Sequence, residues 1–207
     1  MKTNLFNRAA CLLAVAGGVA LSCNAQAADG PWLVRVRAVH LASANTDSTG
    51  LGLTINNKWL PEVDISYFIT PQFAAELILT YPQSQTVRSG GADIGTFKHL
   101  PPTLTAQYHF ADLGAFKPYV GAGVNYTRIS NVSFSPAVVT ALHPSLSKDS
   151  FGLALQVGAD YEISKNTYLN LDVKKVQIKT NVSSAGTKVG EFKVDPLLVG
   201  VGIGWRF

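Results

Sequence analysis

The amino-acid sequence predicts an all-β protein, specifically an eight-stranded antiparallel transmembrane β-barrel in an up-and-down meander. Three observations predict this fold. About eight segments alternate apolar and polar residues, the connections between them alternate between short and long, and the chain ends in an alternating segment that closes with Phe207. A period of two gives a strand two unlike faces, and eight strands are the smallest common size of a membrane barrel.

The amino-terminal segment, residues 1–27, has the three parts of a secretory signal. Lys2 and Arg8 supply positive charge, residues 9–21 form a short apolar run, and Ala25-Gln26-Ala27 matches an A-x-A cleavage site. The apolar run is too short to span a bilayer as a helix. We therefore expect this segment to be removed.

The predicted mature domain, residues 28–207, contains no cysteine, because Cys11 and Cys23 both fall within the signal. A closed barrel needs no disulfide. The alternative in which Cys23 is lipidated lacks the usual leucine three residues earlier. The formal net charge of +4 falls by two with the signal, and the basic residues are scattered. This charge is too weak to predict nucleic-acid binding.

The first four predicted strands, in segments 32–41, 62–69, 75–81 and 103–110, carry an apolar residue at every second position. These positions are Val34-Val36-Ala38, Val63-Ile65-Tyr67-Ile69, Ala75-Leu77-Leu79-Tyr81 and Leu104-Ala106-Tyr108-Phe110. The opposite faces are mostly polar or charged. This alternation predicts strands with one face in lipid and one in the lumen.

The last four predicted strands, in segments 119–126, 151–162, 169–179 and 197–207, repeat the pattern. Their apolar positions are Val120-Ala122-Val124-Tyr126, Phe151-Leu153-Leu155-Val157-Ala159-Tyr161, Leu169-Leu171-Val173 and Leu197-Val199-Val201-Ile203-Trp205-Phe207. In the seventh strand the alternation slips, which predicts a β-bulge near Lys174-Lys175. In the eighth, glycines face the other way. Small residues are better suited to a narrow lumen than to the solvent-exposed face of a soluble β-sandwich. A strand of such a sandwich is the alternative for this segment.

The connections differ in length in a regular way. Short ones lie at 70–72, 111–115 and 164–166, and longer polar ones lie at about 42–56, 82–97, 131–148 and 180–192. Short periplasmic turns and long extracellular loops are typical of outer-membrane barrels. Aromatic residues near the short turns predict an interfacial girdle formed by Trp32, Tyr67, Tyr108, Phe110, Tyr161 and Trp205.

Charged residues occupy the strand face that would line the lumen. They are Arg35, Arg37, Glu62, Asp64, Glu76, Asp160, Glu162, Asp172 and Arg206. Buried charges must be paired, and eight strands enclose little space. We therefore favour a salt-bridged plug that closes the lower barrel over the alternative of a polar ion path.

Five stretches, in order along the chain, carry a resemblance to a known family. They are His99-Leu100-Pro101-Pro102-Thr103-Leu104 with Ala106-Gln107, residues 117–127 (KPYVGAGVNYT), Leu146-Ser147-Lys148-Asp149-Ser150, residues 156–161 (QVGADY) and Asp195-Pro196. These stretches resemble the outer membrane protein W family of small barrels. The resemblance implies an eight-stranded barrel in the outer membrane of a Gram-negative bacterium. It also implies passage of small, mostly hydrophobic molecules into or across the outer leaflet.

The resemblance further implies an apolar lumen above the plug, with a constriction made by an aliphatic residue and a tryptophan. Ile78 keeps the aliphatic position, whereas Lys174 occupies the tryptophan position. A lumenal lysine adds a cation and removes an apolar gate. We therefore expect room for amphipathic or anionic solutes.

Prolines interrupt two predicted strands that should be neighbours. Pro82 ends the third strand and Pro101-Pro102 begin the fourth. Because proline lacks the N–H that a ladder needs, either a lateral gap opens toward the outer leaflet or the strands simply end there. The residues leave both interpretations open. The resemblance favours the gap, because lateral escape between strands has been proposed for this family.

An enzyme is the competing functional class. The sequence contains no Gly-x-Ser-x-Gly, His-x-x-Glu-His or Cys-x-x-Cys spacing, and Ser150 follows Asp149 with no histidine on its strand face. We predict no catalytic site, no cofactor and no metal.

The sequence thus predicts an outer-membrane channel for passive uptake of small hydrophobic or amphipathic molecules. The alternative is a structural or receptor barrel whose extracellular loops bind a bacteriocin, phage or host partner. Expected partners are outer-membrane lipid and lipopolysaccharide, the solutes, and the outer-membrane assembly machinery. Trp205 and Phe207 would supply the assembly signal.

Overall fold

The computed structural model describes residues 30–110 and 113–207, so the predicted signal lies outside the described residues. The strands are β1 (Trp32–Ala42), β2 (Thr46–Asp47), β3 (Leu53–Ile55), β4 (Lys58–Phe68), β5 (Phe73–Leu79), β6 (Gln83–Ser89), β7 (Ala92–Leu100), β8 (Thr103–His109), β9 (Phe116–Phe134), β10 (Pro144–Leu146), β11 (Asp149–Ser164), β12 (Thr167–Val176), β13 (Lys179–Ser184), β14 (Thr187–Lys193) and β15 (Leu197–Arg206). One helix, α1 (Pro136–Leu142), follows β9. Within the described part of the chain, no helix is long and apolar enough to cross a membrane.

Eight of these strands form a closed antiparallel barrel, which confirms the predicted fold. Their order around the ring is β1, β4, β5, β8, β9, β11, β12 and β15, and β15 pairs back with β1. Every membrane strand therefore has a hydrogen-bonded neighbour on each side. This closure meets the requirement that a sheet in lipid leave no unpaired edge.

The first and last barrel strands are joined along their full length. Their register pairs Val36 with Ile203 and Ala42 with Leu197. At the periplasmic end, the Trp32 N–H donates to the Phe207 carbonyl at 3.1 Å, and the Phe207 N–H donates to the Trp32 carbonyl at 2.9 Å. The terminal aromatic is thus part of the seam that closes the ring.

The outer surface is apolar between two aromatic zones. Near the short turns, the Trp32 and Tyr67 rings lie 4.8 Å apart, and the Tyr108 and Phe110 rings lie 5.1 Å apart. Near the other end, the exposed Phe151 ring packs against the Tyr126 ring. Aromatic rings at both interfaces are typical of a barrel in a bilayer.

The predicted bulge in the seventh strand is wrong. Lys174, Val176 and Ile178 are all buried on the inward side, so the alternation continues without a slip. The pairing of β12 with β15 also runs unshifted to Lys175. The polar and apolar residues exchange faces near Lys175 because the strand leaves the bilayer there. Before Lys175 the inward-facing residues are polar and the outward-facing ones apolar, whereas after it the inward-facing residues are apolar and the outward-facing ones polar.

The long connections are not simple loops, because they contain strands of their own. β6 and β7 form a hairpin that extends the barrel wall by pairing with β3 and β9. A second sheet has the order β10-β13-β14-β2. β9 alone has 19 residues, or about 60 Å of strand, which far exceeds an apolar band of about 25 Å. The barrel wall therefore extends well beyond the apolar band on the side of the long connections.

The first long connection, between β1 and β4, is organised by one carboxylate. Asp47 accepts hydrogen bonds from the Thr49 N–H at 2.9 Å, the Thr49 hydroxyl at 2.7 Å and the Leu53 N–H at 3.0 Å. Burial alone would raise the pKa of Asp47, but these hydrogen bonds outweigh it and lower that pKa below its usual value.

Candidate functional site

The lower half of the lumen is filled by an ion-paired network, here called the plug. Its cations are Arg35 and Arg37 from β1 and Lys174 from β12, and its carboxylates are Glu62, Asp64, Glu76, Asp160 and Asp172. All eight side chains are buried. They come from five of the eight barrel strands, so the network crosses the lumen from wall to wall.

Arg35 is the lower centre of the plug. Its guanidinium makes a bidentate pair with Asp160 at 3.1 and 2.7 Å and a further contact with Asp64 at 2.8 Å. Arg37 lies above it, bonded to Glu62 at 2.9 Å and to the Asn170 side-chain carbonyl at 2.7 Å. Paired geometry of this kind is needed to offset the cost of burying charge.

Neutral donors complete the network. The Tyr119 hydroxyl and the Gln156 amide donate to Asp172 at 2.8 and 2.7 Å, and the Thr105 hydroxyl donates to Glu76 at 2.8 Å. Each of these side chains occupies a lumen-facing position in the alternation, but the alternation does not indicate which carboxylate it meets.

Small residues on β15 make room for the arginines. A methyl group at Gly202 would collide with the Val36 carbonyl and with Arg37. Glycine at this position therefore lets the arginine stem run along the inner wall.

Two predicted plug members lie outside the network. Glu162 contacts Lys117 at 3.8 Å at the half-exposed periplasmic rim. Arg206 lies over the Phe68 ring at 4.0 Å and donates to the Gly30 carbonyl at 2.9 Å. Both were placed on the correct strand face, but alternation gives the face of a residue and not its height in the barrel.

Lys174 lies at the top of the plug. Its ammonium bonds to Glu62 at 2.6 Å and to Asp172 at 2.8 Å. Because two carboxylates neutralise it, Lys174 is not a free lumenal cation. Its pairing removes the reason for expecting the lumen to attract anionic solutes.

A narrow cavity lies directly above the plug. Its floor includes Glu62 and Lys174, and one side includes Ile78. The rest of its lining is mostly apolar. The apolar residues include Leu41, Leu60, Val176, Ile178, Pro196 and Leu198, and the polar ones include His99, Thr103 and Asn125. Beyond it, the extracellular part encloses an apolar cluster that includes Leu53, Val87, Phe97, Ile129 and Phe192. The lumen therefore changes from charged to mostly apolar at the height of Lys174.

The cavity reaches the barrel wall where β5 and β8 separate. Their pairing runs from Phe73 opposite Tyr108 to Ile78 opposite Thr103 and stops there. Leu79, Thr80 and Pro101 line the cavity just above that last pair.

The three predicted gap prolines differ in position. The Pro102 carbonyl accepts a hydrogen bond from the Tyr126 N–H of β9 at 3.1 Å, so this carbonyl points toward β9 and away from β5. Pro82 is exposed between β5 and β6 and does not line the cavity. Of the three, Pro101 alone lines it, so its missing N–H is the one that bears on the wall between β5 and β8.

A closed antiparallel barrel with an apolar exterior, two aromatic zones and a charged interior plug defines an outer-membrane β-barrel protein. The family model of the OmpW family matches residues 30–207. The chain belongs to the OmpW family and resides in the outer membrane.

Relatives support this assignment across most of the chain. The outer-membrane protein y4mB of Sinorhizobium fredii is 41% identical over 187 residues, covering 86% of this chain and 80% of that protein. Outer membrane protein W of Escherichia coli is 35% identical over 182 residues, covering 83% and 84%. The dibenzothiophene metabolism operon protein PahQ of Pseudomonas aeruginosa is 32% identical over 152 residues, covering 70% and 69%. The names of the first two describe outer-membrane proteins, not enzymes.

Solved structures share the fold. The crystal structure of OprG from Pseudomonas aeruginosa superposes with a TM-score of 0.74 at 23% identity, covering 89% of this chain and 99% of that one. At that identity the likeness supports the architecture alone.

Proposed function

We propose that this protein is a passive channel for small hydrophobic or amphipathic molecules. They enter the apolar upper lumen from outside and leave sideways between the tops of β5 and β8 into the outer leaflet. The observation that carries the proposal is the cavity above the plug, which extends from the inward-facing Ile78 to Leu79 and Pro101 at the wall.

The plug supports a lateral exit over an axial one. A solute moving straight down the barrel would have to separate Arg35 and Arg37 from their buried carboxylates. Breaking one buried ion pair costs roughly 3–5 kcal/mol. The network contains several such pairs in contact with one another, so the axis is a barrier to an apolar molecule.

The wall offers less resistance. The β5–β8 ladder ends at Ile78 and Thr103, and proline at position 101 cannot donate a further hydrogen bond. A relative named for a dibenzothiophene metabolism operon adds support, because dibenzothiophene is a flat molecule with little polar surface.

Filling the cavity tests the proposal. Ile78→Trp places a large ring in the cavity, while Leu77→Trp on the same strand points toward lipid and serves as the matched control. Each variant is reconstituted in vesicles with lipopolysaccharide in the outer leaflet, and naphthalene entry is followed by fluorescence. We expect Ile78→Trp to slow entry several-fold and Leu77→Trp to match the parent.

Two results would contradict the proposal. Parent protein that admits naphthalene no faster than protein-free vesicles would remove the channel function. Equal rates for the two tryptophan variants, with both folded, would show that the solute path avoids the cavity.

A further inference from the structure

Beside and above the cavity, three buried polar side chains have atoms without a hydrogen-bond partner in the described structure. They are Gln83 and Gln85 on β6 and His99 on β7, each at most 2% exposed. The unpartnered atoms are Gln83 Oε1, both side-chain polar atoms of Gln85, and His99 Nε2. We call these three residues the polar row.

The polar row follows the inner face of one hairpin. Gln83 is directly opposite His99, and Gln85 is directly opposite Phe97. Side chains opposite each other in an antiparallel pair lie about 5 Å apart at Cβ. His99 also lines the cavity above the plug. The row therefore leads from the cavity toward the apolar cluster of which Phe97 is a member.

Unpaired polar atoms in such surroundings are costly. Burying a hydrogen-bonding group without a partner costs roughly 1–3 kcal/mol, and native proteins contain few such groups. The plug differs from this row, because its two carboxylate oxygens that lack a hydrogen bond, Asp64 Oδ2 and Asp172 Oδ1, lie 3.0 and 2.8 Å from a cationic nitrogen. Leucine and phenylalanine would fill positions 85 and 99 with similar volume and without this penalty.

We propose that the polar row is a recognition subsite for the hydrogen-bonding group of an amphipathic solute, such as the hydroxyl or carbonyl of an otherwise apolar molecule. The inference rests on the proposed channel function and gives its substrate class. Gln85 supplies both a donor and an acceptor, Gln83 supplies an acceptor, and the His99 nitrogen takes either role according to tautomer. The surrounding apolar side chains receive the rest of the molecule.

The test compares naphthalene with 1-naphthol, which differ by one hydroxyl. The variants are Gln85→Leu and His99→Phe, and Ser84→Ala on the exposed side of β6 is the control. Entry of both probes into lipopolysaccharide-containing vesicles is measured for each protein. We expect the naphthol-to-naphthalene rate ratio to fall roughly two- to tenfold in the first two variants, the change that one hydrogen bond makes. Ser84→Ala should keep the parent ratio.

A binding measurement separates recognition from transport. The chain has four histidines, at 40, 99, 109 and 143, so ¹⁵N-histidine spectra in nanodiscs are simple, and His99→Phe assigns the relevant signals. The His99 nitrogens should shift on adding 1-naphthol and not on adding naphthalene.

The outcomes are distinct. If both probes enter faster than through protein-free vesicles but neither variant changes their ratio, the subsite is overturned and the channel stands, and water alone satisfies the polar row. If neither probe enters faster, the proposed channel fails, and the histidine spectra still decide whether the subsite exists. Identical spectra with both probes would overturn it.

Discussion

Arginine substitutions at three neighbouring positions of β11 test which face of the strand meets lipid and how deep each position lies. Val157 is exposed on the outer surface and is paired between Val120 of β9 and Val173 of β12. An arginine at the bilayer midplane of a barrel costs about 2–4 kcal/mol, and near an interface about 0–1 kcal/mol. Val157→Arg should therefore lower the free energy of unfolding by about 2–4 kcal/mol.

The next outward position, Leu155, lies closer to the extracellular interface. Its partner on β12 is Lys175, whose ammonium reaches the Asp195 carbonyl. A lysine at this height shows that a cationic side chain can extend to polar surroundings from here. Leu155→Arg should cost less than Val157→Arg, about 1–2 kcal/mol.

Gln156 lies between them in sequence and points into the plug, where its amide donates to Asp172 at 2.7 Å. The plug holds five carboxylates against three cations, so a new guanidinium there has partners. Pairing offsets the crowding of a larger side chain, and Gln156→Arg should stay within about 1 kcal/mol of the parent.

The assay is urea unfolding in lipid vesicles, with heat-modifiable migration on gels as a check of folding. The expected order of destabilisation is Val157, then Leu155, then Gln156. Equal stability of the Val157 and Gln156 variants would refute the assignment of faces, and equal loss at Val157 and Leu155 would refute the assignment of depth.

Three further predictions concern the seam, the plug and the wall. Deleting Phe207 removes two backbone hydrogen bonds to the first strand. It should slow outer-membrane assembly in cells more than it lowers the free energy of unfolding. Normal assembly kinetics would contradict the prediction that Phe207 is part of an assembly signal. Lys174→Met removes the ammonium that pairs with Glu62 and Asp172, and it should lower the free energy of unfolding by about 3 kcal/mol in urea. An unchanged unfolding midpoint would show that these two ion pairs do not stabilise the barrel. Pro101→Ala should slow lateral release of naphthalene, while Pro102→Ala should not, and matching rates would place the exit elsewhere.

Alternation along the chain was enough to predict the eight barrel strands, because a period of two is imposed directly by lipid on one side and lumen on the other. The same signal misled at the seventh strand. Val176 and Ile178 are apolar and inward because they line the upper lumen, while Lys175 is charged and outward because it is close to the membrane surface. When a strand passes from the bilayer into water, the inversion of its polar and apolar positions has the same sequence pattern as a bulge that turns the strand over.

The plug could be predicted only in part. The strand face of Arg35 and Asp160 follows from alternation, but their 2.7 Å contact depends on strand stagger, which sequence does not provide. The polar row was missed for another reason. Gln83 and Gln85 lie in a stretch rich in Ser, Gln and Thr, which resembles a solvated loop until pairing with β7 turns one side inward.

The seam between Trp32 and Phe207 has a consequence for how the molecule is made. A ring cannot be partly closed: until β15 joins β1, the sheet has two open margins whose amides and carbonyls hydrocarbon cannot satisfy. Each missing partner costs several kcal/mol, so a half-inserted sheet is not a resting state in lipid. The cost of open margins therefore favours insertion of the barrel strands together with closure of the seam between β15 and β1.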